Sequence, residues 1–326
     1  MSTMKRLEKL EGFGNVQMVE ADIPIPGPEQ VLVRVNRSLI SRGSELFRRY
    51  NRQEAVSPQM MGYSDSGEVV EAGAGVRGLE PGQRVGVSAP HAQYVLGSPA
   101  GHGGRIVPLI ADMGYEAATF LPLAAGGVAW SRATPIKPGD TVVVQGQGLV
   151  GNLYAQAVRQ RRPGRVITTD AYALRCDISH RCGADEVINV SERDSVEAVM
   201  DLTGGHGADV VVECVGGDAG VKSFEQTMLM VKRDGVVHLI ALYQGKPLLL
   251  DSSLMMNKQL IGGYWNSPGG PSAKDMEDTA RMLIDGRIKF DPLITHRFPW
   301  QKTPDAYHFL YRSPDEALGV ILEWDK

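Results

Sequence analysis

Cysteine is scarce in this chain. Its 326 residues include three cysteines, Cys176, Cys182 and Cys214, and no two of them form a CxxC pair. An odd, unpaired set argues against a disulfide framework and against a cysteine-rich zinc site. The sequence therefore predicts three packed thiols.

An excess of positive charge and long apolar runs are also lacking. The formal net charge is −4 and 43% of the residues are hydrophobic. Without a basic excess we expect no binding to nucleic acid or to an anionic membrane. No apolar run approaches the ~18 residues of a membrane-spanning helix, and the N-terminal segment MSTMKRLEKLEGFG lacks the apolar core of a signal peptide. We expect a cytoplasmic protein with a small-molecule substrate.

The most informative motif is the run TVVVQGQGLVG at residues 141–151. An apolar strand ends in three glycines, and a helix-compatible segment follows. In a dinucleotide site the first glycine makes a tight turn, the second lets the backbone approach a pyrophosphate, and the third lets the helix pack close to the strand. The phosphates then rest on the helix N-terminus. A strand–turn–helix without a ligand is the alternative. The predicted cofactor contacts here are Gly146, Gly148, Leu149, Val150 and Gly151.

A carboxylate at the next strand end favours NAD over NADP. The stretch RVITTD ends at Asp170, 19 positions after Gly151, close to the spacing expected of an acid that binds the ribose hydroxyls. Such a carboxylate would repel a 2′-phosphate. Arg175 opposes this choice in part, because its guanidinium could stack on adenine, pair with Asp170 or, less readily, contact a phosphate.

Residues after later strands are further candidates for cofactor contact, because open α/β sheets bind ligands at the carboxyl ends of their strands. Ordinary packing at the strand ends is the alternative. These candidates are Cys214, Val215, Ala241, Leu242 and Tyr243.

The periodicity changes along the chain. The first third carries short alternating runs such as QVLVRVN and GEVVEAG, which predict β-rich structure. A helix-compatible stretch begins at Glu116, and strands then alternate with helical patterns, which predicts a parallel sheet with right-handed crossovers. The predicted strands are TVVVQG, RVITTD, DEVINV, DVVVECVGG and DGVVHLIALY. A helix, KDMEDTARMLIDG, and a last strand, GVILEWD, follow.

Over nearly its whole length the chain resembles the medium-chain dehydrogenase/reductase superfamily. The segments that carry the resemblance include PGPEQVLVRVNRSLIS, GEVVEAGAGVRGLEPGQRV, the glycine run, GADEVIN, GGHGADVVVECVGG, LIGGYW and ITHRFPW. The resemblance implies an α/β fold in which a Rossmann doubly wound parallel sheet, residues 121–261, is inserted into a β-rich GroES-like catalytic domain. That catalytic domain would comprise residues 1–120 and 262–326.

The chain departs from zinc-dependent members of that family at the metal-ligand positions. Those members carry a cysteine after an early strand, a histidine and a glutamate in a GHE segment, and a cysteine before the cofactor domain. The corresponding residues here are Ser41, Tyr63, Ser64 and Ala124. Serine and tyrosine are poor zinc donors and alanine has no ligand atom. The family's four-cysteine structural lobe is also missing. The sequence therefore predicts no zinc and no other metal.

Without a metal, hydrogen-bond donors must polarise the substrate and move its proton. Tyr63 could act as general acid and base, or its ring could simply fill the vacated metal pocket. His91 titrates near neutrality and could pass a proton to solvent, or it could be a satisfied polar side chain in a turn. The predicted catalytic residues are Tyr63, Ser41, His91 and Asp65. Ser44, Ser64 and Glu45 are further candidates in the same segments, and Asp65 and Glu45 could equally cap backbone N–H groups.

The segments LISRGSE and GYSDSGEV resemble those of zinc-less bacteriochlorophyllide dehydrogenases and of sugar or natural-product dehydrogenases. This implies a zinc-independent, NAD-linked enzyme that interconverts a secondary alcohol and a ketone on a bulky metabolite. The alternatives are an NAD(P)H-dependent quinone or enoyl reductase and a nicotinamide-binding sensor without turnover. The resemblance also implies a homodimer, paired through an outer strand at KPLLLDS near Leu248. Tyr264, Trp265 and His296 are candidates for shaping the substrate pocket.

Overall fold

A computed structural model describes residues 2–99, 104–242, 246–262 and 271–325. By internal contacts the chain divides into two units. The first unit comprises residues 1–122 and 294–326, and the second comprises residues 123–293. Tyr243, Tyr264 and Trp265, named above as candidates, lie outside the described residues.

The elements follow one another in chain order through both units. The strands among the described residues are β1 (Thr3–Lys9), β2 (Val16–Asp22), β3 (Val31–Ile40), β4 (Asp65–Ala72), β5 (Arg84–Val87), β6 (Tyr94–Gly97), β7 (Ile106–Pro108), β8 (Thr141–Gln145), β9 (Arg165–Asp170), β10 (Glu186–Asn189), β11 (Ala208–Glu213), β12 (Val231–Leu239), β13 (Gln259–Gly262), β14 (Ile294–Pro299) and β15 (Gly319–Glu323). The α-helices are α1 (Tyr115–Ala133), α2 (Leu149–Arg159), α3 (Ala173–Arg181), α4 (Ser195–Leu202), α5 (Ala219–Met230), α6 (Ala273–Ile284) and α7 (Thr303–Arg312). A π-helix spans Arg42–Tyr50, and short 3₁₀ turns lie at Pro58–Met60, Asp291–Leu293 and Trp300–Lys302.

The first unit is built on a mixed sheet in the order β14-β15-β3-β4-β5-β7, with β6 also pairing with β3. Alternate residues of β3 point into one core, where Val31, Val33 and Val35 are buried. The C-terminal segment completes this core, because Tyr307 of α7 and Val320 of β15 belong to the same buried cluster. The β-rich unit is therefore made of two separate stretches of the chain.

The second unit contains a six-stranded parallel sheet in the order β10-β9-β8-β11-β12-β13. The central strand β8 is buried on both faces, since Val142 and Val144 pack in one apolar cluster and Val143 packs in another. Burial on both faces explains why the central strands β8 and β11 have continuous apolar sequences. The order is that of a doubly wound sheet, with its reversal between β8 and β11. The predicted α/β fold class is confirmed.

The second unit extends further along the chain than the predicted Rossmann domain, which ended at residue 261. The segment after β13 stays with the parallel sheet as far as Leu293. The side chain of Gln156 in α2 exchanges two hydrogen bonds with the backbone of Lys289, at 2.7 and 3.0 Å. Arg132 also pairs with Asp278 of α6 at 2.8 Å. These contacts hold α6 to the second unit, so the return to the β-rich unit comes at residue 294 instead of 262.

The predicted outer strand at KPLLLDS does not form. Residues 247–251 have no regular structure, and the edge strands of the parallel sheet are β10 and β13. β13 is short and mostly exposed. Among the described residues, no helix has the length and apolar character that crossing a membrane would require.

Candidate active site

The glycine turn after β8 has the geometry of a close approach between backbone segments. Gly146 has a φ of +82°, and a Cβ there would lie 2.8 Å from Cγ2 of Val215. A Cβ on Gly151 would lie 1.8 Å from the carbonyl oxygen of Gly146. At Gly148, by contrast, a Cβ would meet no described protein atom within 4 Å. Packing therefore requires the outer two glycines, whereas the middle one borders open space.

The helix N-terminus behind this turn has no side-chain cap. Gly148 is the N-cap residue of α2, and as a glycine it has no side chain that could bond to the first N–H groups of the helix. These N–H groups have no partner within a helix and together favour an anion. Leu149 is buried and Val150 half-buried, so their predicted contribution to a pyrophosphate is through backbone. The turn fits a dinucleotide.

Asp170, at the end of β9, is tied to the glycine turn. Its Oδ2 accepts a hydrogen bond from the backbone N–H of Gln147 at 2.7 Å, and its Oδ1 accepts one from Tyr172 at 3.0 Å. Arg175 lies beside it, with Nη1 3.7 Å from Oδ2, and the guanidinium lies 4.6 Å from the centre of the Tyr172 ring. The pairing of Arg175 with Asp170 is one of the arrangements that the sequence allowed.

The segments after β11 and β12 lie at the same carboxyl edge of the sheet. Val215 donates its backbone N–H to Oε1 of Glu213 at 2.8 Å, and Ala241 donates to the Glu213 carbonyl at 2.9 Å. Burial raises the pKa of the Glu213 carboxyl to about 8 and raises that of the Cys214 thiol well above its usual value. Leu242 is 47% exposed. Sequence reasoning missed Glu213 because it reads as one more residue of a strand.

A cluster of three hydroxyl groups forms where β3 meets the π-helix. The Tyr63 hydroxyl donates to Oγ of Ser41 at 2.5 Å and lies 3.4 Å from Oγ of Ser44. Tyr63 is half-buried, whereas Ser41 is 6% exposed. The structure thus brings together Tyr63, Ser41 and Ser44, which the sequence named from two separate segments. The Ser64 hydroxyl is buried and has no hydrogen-bond partner among the described residues.

His91 and Asp65 lie in a fully buried polar group behind this cluster. Nε2 of His91 is 3.0 Å from Oε2 of Glu45, and Nδ1 is 2.9 Å from Oγ of Ser38 and 3.6 Å from Oδ1 of Asp65. His91 is 0% exposed. This placement favours the alternative of a satisfied polar side chain over direct proton exchange with solvent.

Burial and charge act in opposite directions in this group. Burial by itself would lower the pKa of His91, but the carboxylates of Glu45 and Asp65 outweigh it and raise that pKa to about 10. Burial raises the pKa of Asp65 to about 6 against the influence of His91. For Glu45 the donors prevail over burial, and its pKa is lowered. The group therefore holds an imidazolium against the Glu45 carboxylate at neutral pH.

Of the three residues that the sequence suggested for shaping the substrate pocket, His296 is the one that the structure describes. It is half-buried on β14, and its ring lies 4.6 Å from that of Phe309 in an edge-to-face contact. The structure places it in an aromatic cluster with Phe298 and Phe309.

Comparison with known families accounts for both units. The family model of the alcohol dehydrogenase GroES-like domain matches residues 27–129, and that of zinc-binding dehydrogenases matches residues 150–284. Together these matches span more than half of the chain. The chain belongs to the medium-chain dehydrogenase/reductase superfamily. It is a nicotinamide-dependent enzyme of the alcohol dehydrogenase or ketoreductase type.

Sequence relatives align with this chain over most of its length. It is 29% identical to an L-threonine 3-dehydrogenase of Pyrococcus horikoshii, with 92% of each chain covered. It is 27% identical to a sorbitol dehydrogenase of Halalkalibacterium halodurans, over 98% of this chain and 99% of the relative. An oxidoreductase of unknown specificity from Escherichia coli has the same fold, with a TM-score of 0.86, 19% identity and 99% of both chains covered.

The residues at the metal-ligand positions of this superfamily do not fit zinc. Ser41 and Tyr63 offer hydroxyls that bond to each other, and Ala124 offers no ligand atom. Glu45 and His91 are near, but each already bonds the other inside the buried group. Across the described ranges no three His, Cys, Asp or Glu side chains are arranged to hold a metal. The match to zinc-binding dehydrogenases spans residues 150–284, which do not include Ser41, Tyr63 or Ser64.

Proposed function

We propose that this enzyme interconverts a secondary alcohol and a ketone with NAD(H) and without zinc. The observation that carries the proposal is the Tyr63 hydroxyl, half-buried and 2.5 Å from Oγ of Ser41. It stands at a position where zinc-dependent members of the superfamily have a ligand. Zinc stabilises a substrate alkoxide by its positive charge. A hydroxyl at this position can stabilise the same alkoxide by donating a proton to it.

The proton step is assigned to Tyr63. When bound, the nicotinamide supplies or receives the hydride. In the direction of reduction, the Tyr63 O–H bond breaks and its proton goes to the substrate oxygen as that oxygen gains charge. The phenolate left behind then accepts hydrogen bonds from the hydroxyls of Ser41 and Ser44 before solvent restores its proton. Oxidation runs through the same atoms in reverse. Hydrogen bonds from these two hydroxyls stabilise the charged phenolate relative to the protonated phenol.

The cofactor preference is assigned to Asp170. Its carboxylate, 7% exposed at the end of β9, supports NAD because a 2′-phosphate would meet a negative charge there. Arg175 beside it offsets part of that charge. We therefore expect NADP to be used less well than NAD.

The substrate is assigned to the class of secondary alcohols on bulky, sugar-like or natural-product metabolites. The relatives named for threonine and sorbitol support a secondary alcohol. The resemblance of the LISRGSE and GYSDSGEV segments supports a bulky one. The net charge of −4 favours a small-molecule substrate over nucleic acid.

A homodimer is part of the proposal, with β13 as its contact strand. β13 is one of the two edge strands of the parallel sheet, and Leu260 within it is 41% exposed. An exposed strand edge with apolar residues invites pairing with another copy. Sedimentation at micromolar concentration should give a dimer mass, and a monomer at every concentration would contradict this part.

Metal removal tests the zinc-independent reaction. The protein is stripped with 1,10-phenanthroline, its residual zinc is measured by mass spectrometry, and NADH formation is followed with sorbitol, L-threonine and cyclohex-2-en-1-ol. We expect turnover of at least one alcohol at a rate unchanged by zinc removal. Loss of activity in step with the zinc content, with recovery only on adding zinc, would contradict the proposal. Failure to oxidise any of the three alcohols, with NAD bound, would count against the dehydrogenase itself.

A further inference from the structure

A fully buried carboxylate, Glu45, joins the hydroxyl cluster to the rest of the first unit. Its Oε1 accepts the backbone N–H of Ser41 at 2.8 Å. Its Oε2 accepts from Nε2 of His91 at 3.0 Å and from the hydroxyl of Tyr307. Glu45 is 0% exposed. All three donors reach it from different segments of the chain.

These donors hold the carboxylate in one orientation. His91 is itself fixed, because Nδ1 bonds to Ser38 and its backbone N–H donates to the Met61 carbonyl at 2.7 Å. Ser38 in turn accepts the indole N–H of Trp324 at 2.9 Å. A buried charge is tolerated only with such partners, and removing one leaves the others uncompensated. The orientation of the Glu45 carboxylate is therefore fixed by the protein itself, without substrate.

The Oε1 atom of Glu45 connects these buried residues to Ser41. The backbone N–H of Glu45 donates to the Ser41 carbonyl at 2.8 Å, while its side chain accepts the Ser41 N–H, so the two residues are locked together in both directions. Ser41 is the residue whose Oγ accepts the Tyr63 hydroxyl. π-Helices such as Arg42–Tyr50, which carries Glu45, are rare and often occur at functional sites.

We infer that Glu45 is a positioning residue for the proton step. It fixes Ser41 so that Oγ receives the Tyr63 hydroxyl and can later donate to the phenolate. Glu45 acts through Ser41, and His91 and Tyr307 serve to hold Glu45. The inference rests on the proposed role of Tyr63, and it assigns to the buried His91 a supporting task instead of proton exchange.

Paired variants separate positioning from general stability. Glu45→Gln keeps the shape but cannot accept from all three donors. We expect kcat for cyclohex-2-en-1-one and NADH to fall about 10- to 100-fold, the range known for partners that orient metal ligands. KM should change little. In a Tyr63→Phe background the same substitution should change kcat less than twofold, because the hydroxyl it positions is gone. Tyr307→Phe, which removes one donor to Glu45, should have a smaller effect of the same kind.

Glu68 provides a matched control. It is a carboxylate of the same unit that accepts a tyrosine hydroxyl, from Tyr115 at 2.6 Å. Glu68→Gln should leave kcat unchanged. NADH binding and thermal unfolding of every variant show how much protein is folded.

A spectroscopic readout is independent of turnover. With [¹³Cζ]tyrosine labelling, the resonance lost in Tyr63→Phe should shift in Glu45→Gln and stay in place in Glu68→Gln, where the Tyr115 resonance should move instead. An unmoved Tyr63 resonance in Glu45→Gln, or an undiminished loss of kcat in the double variant, would overturn the inference. Wild-type kcat in Tyr63→Phe would overturn the proposed proton step instead, while a shifted Tyr63 resonance would still show that Glu45 positions the hydroxyl.

Discussion

The carboxylate of Asp170 accepts a hydrogen bond from the backbone N–H of Gln147 at 2.7 Å. Gln147 lies between the first two glycines of the turn, so the acid at the end of β9 also holds the turn that ends β8. Its other oxygen accepts the Tyr172 N–H, so both carboxylate oxygens are held by backbone donors. On the proposed binding mode, Asp170 would contact the ribose and would also hold the turn that binds the phosphates.

Asp170→Asn should weaken NADH binding and reduce the preference of the enzyme for NADH over NADPH. The amide loses one acceptor and the negative charge, and hydrogen bonds to charged groups are worth ~1.5–3 kcal/mol, which is about a tenfold or greater rise in Kd. NADPH binding should weaken less or improve. Fluorescence titration with both cofactors measures this. Tighter binding of NADPH than of NADH by the wild-type protein would count against the assignment of Asp170.

Gly151 and Gly148 should respond differently to substitution by alanine. Gly151→Ala would place a methyl group 1.8 Å from the Gly146 carbonyl oxygen, so α2 must move and thermal stability should drop together with cofactor binding. Gly148→Ala meets no described protein atom and has an ordinary φ of −64°. It should unfold at nearly the wild-type temperature yet bind NADH more weakly, because its methyl faces the expected pyrophosphate. Equal binding by Gly148→Ala and wild type would remove this turn from the cofactor site.

Tyr63→Phe should slow the reaction while the fold is kept. Removing a general acid typically costs 10²–10⁴-fold in rate, and the loss should fall on kcat more than on KM. Tyr115→Phe is the control, since its hydroxyl bonds to Glu68 outside the hydroxyl cluster. Should both variants keep the wild-type kcat, Tyr63 would only fill space.

Stability should fall as the pH rises from about 7 to about 10. Burial by itself lowers the pKa of His91, but the carboxylates of Glu45 and Asp65 raise it by more. The pKa of His91 is therefore about 10, against an ordinary 6.5. The folded protein thus keeps a proton that the unfolded chain releases, and this stabilisation is complete below about 6.5 and lost as the pH passes the folded value. Asp65 acts with the same sign at lower pH, because burial raises its pKa to about 6.

Thermal unfolding of wild type and His91→Gln across this pH range isolates the effect. The difference in Tm between the two proteins should shrink as the pH rises. A constant difference would mean that His91 is neutral in the folded protein.

The sequence was most informative where one strand or turn determines the outcome. TVVVQ forms β8, RVITTD forms β9, and at the third glycine α2 lies so close to the turn after β8 that a Cβ would not fit. The hydrogen bonds of Glu45 to His91 and Tyr307 could not be predicted from the sequence. These residues lie in distant segments, and no local pattern indicates that they come together. The second unit extends to Leu293 because the Gln156–Lys289 contact, distant in sequence, holds that segment.

The most direct test of the central claim is the destination of the hydride. Zinc-depleted protein is incubated with NADH deuterated at C4 and cyclohex-2-en-1-one, and the product is analysed by mass spectrometry and NMR. We predict cyclohex-2-en-1-ol with deuterium on the carbinol carbon. Cyclohexanone with deuterium on the former β-carbon would contradict this and establish an enoyl reductase, and the absence of any transferred deuterium would favour a nicotinamide-binding sensor.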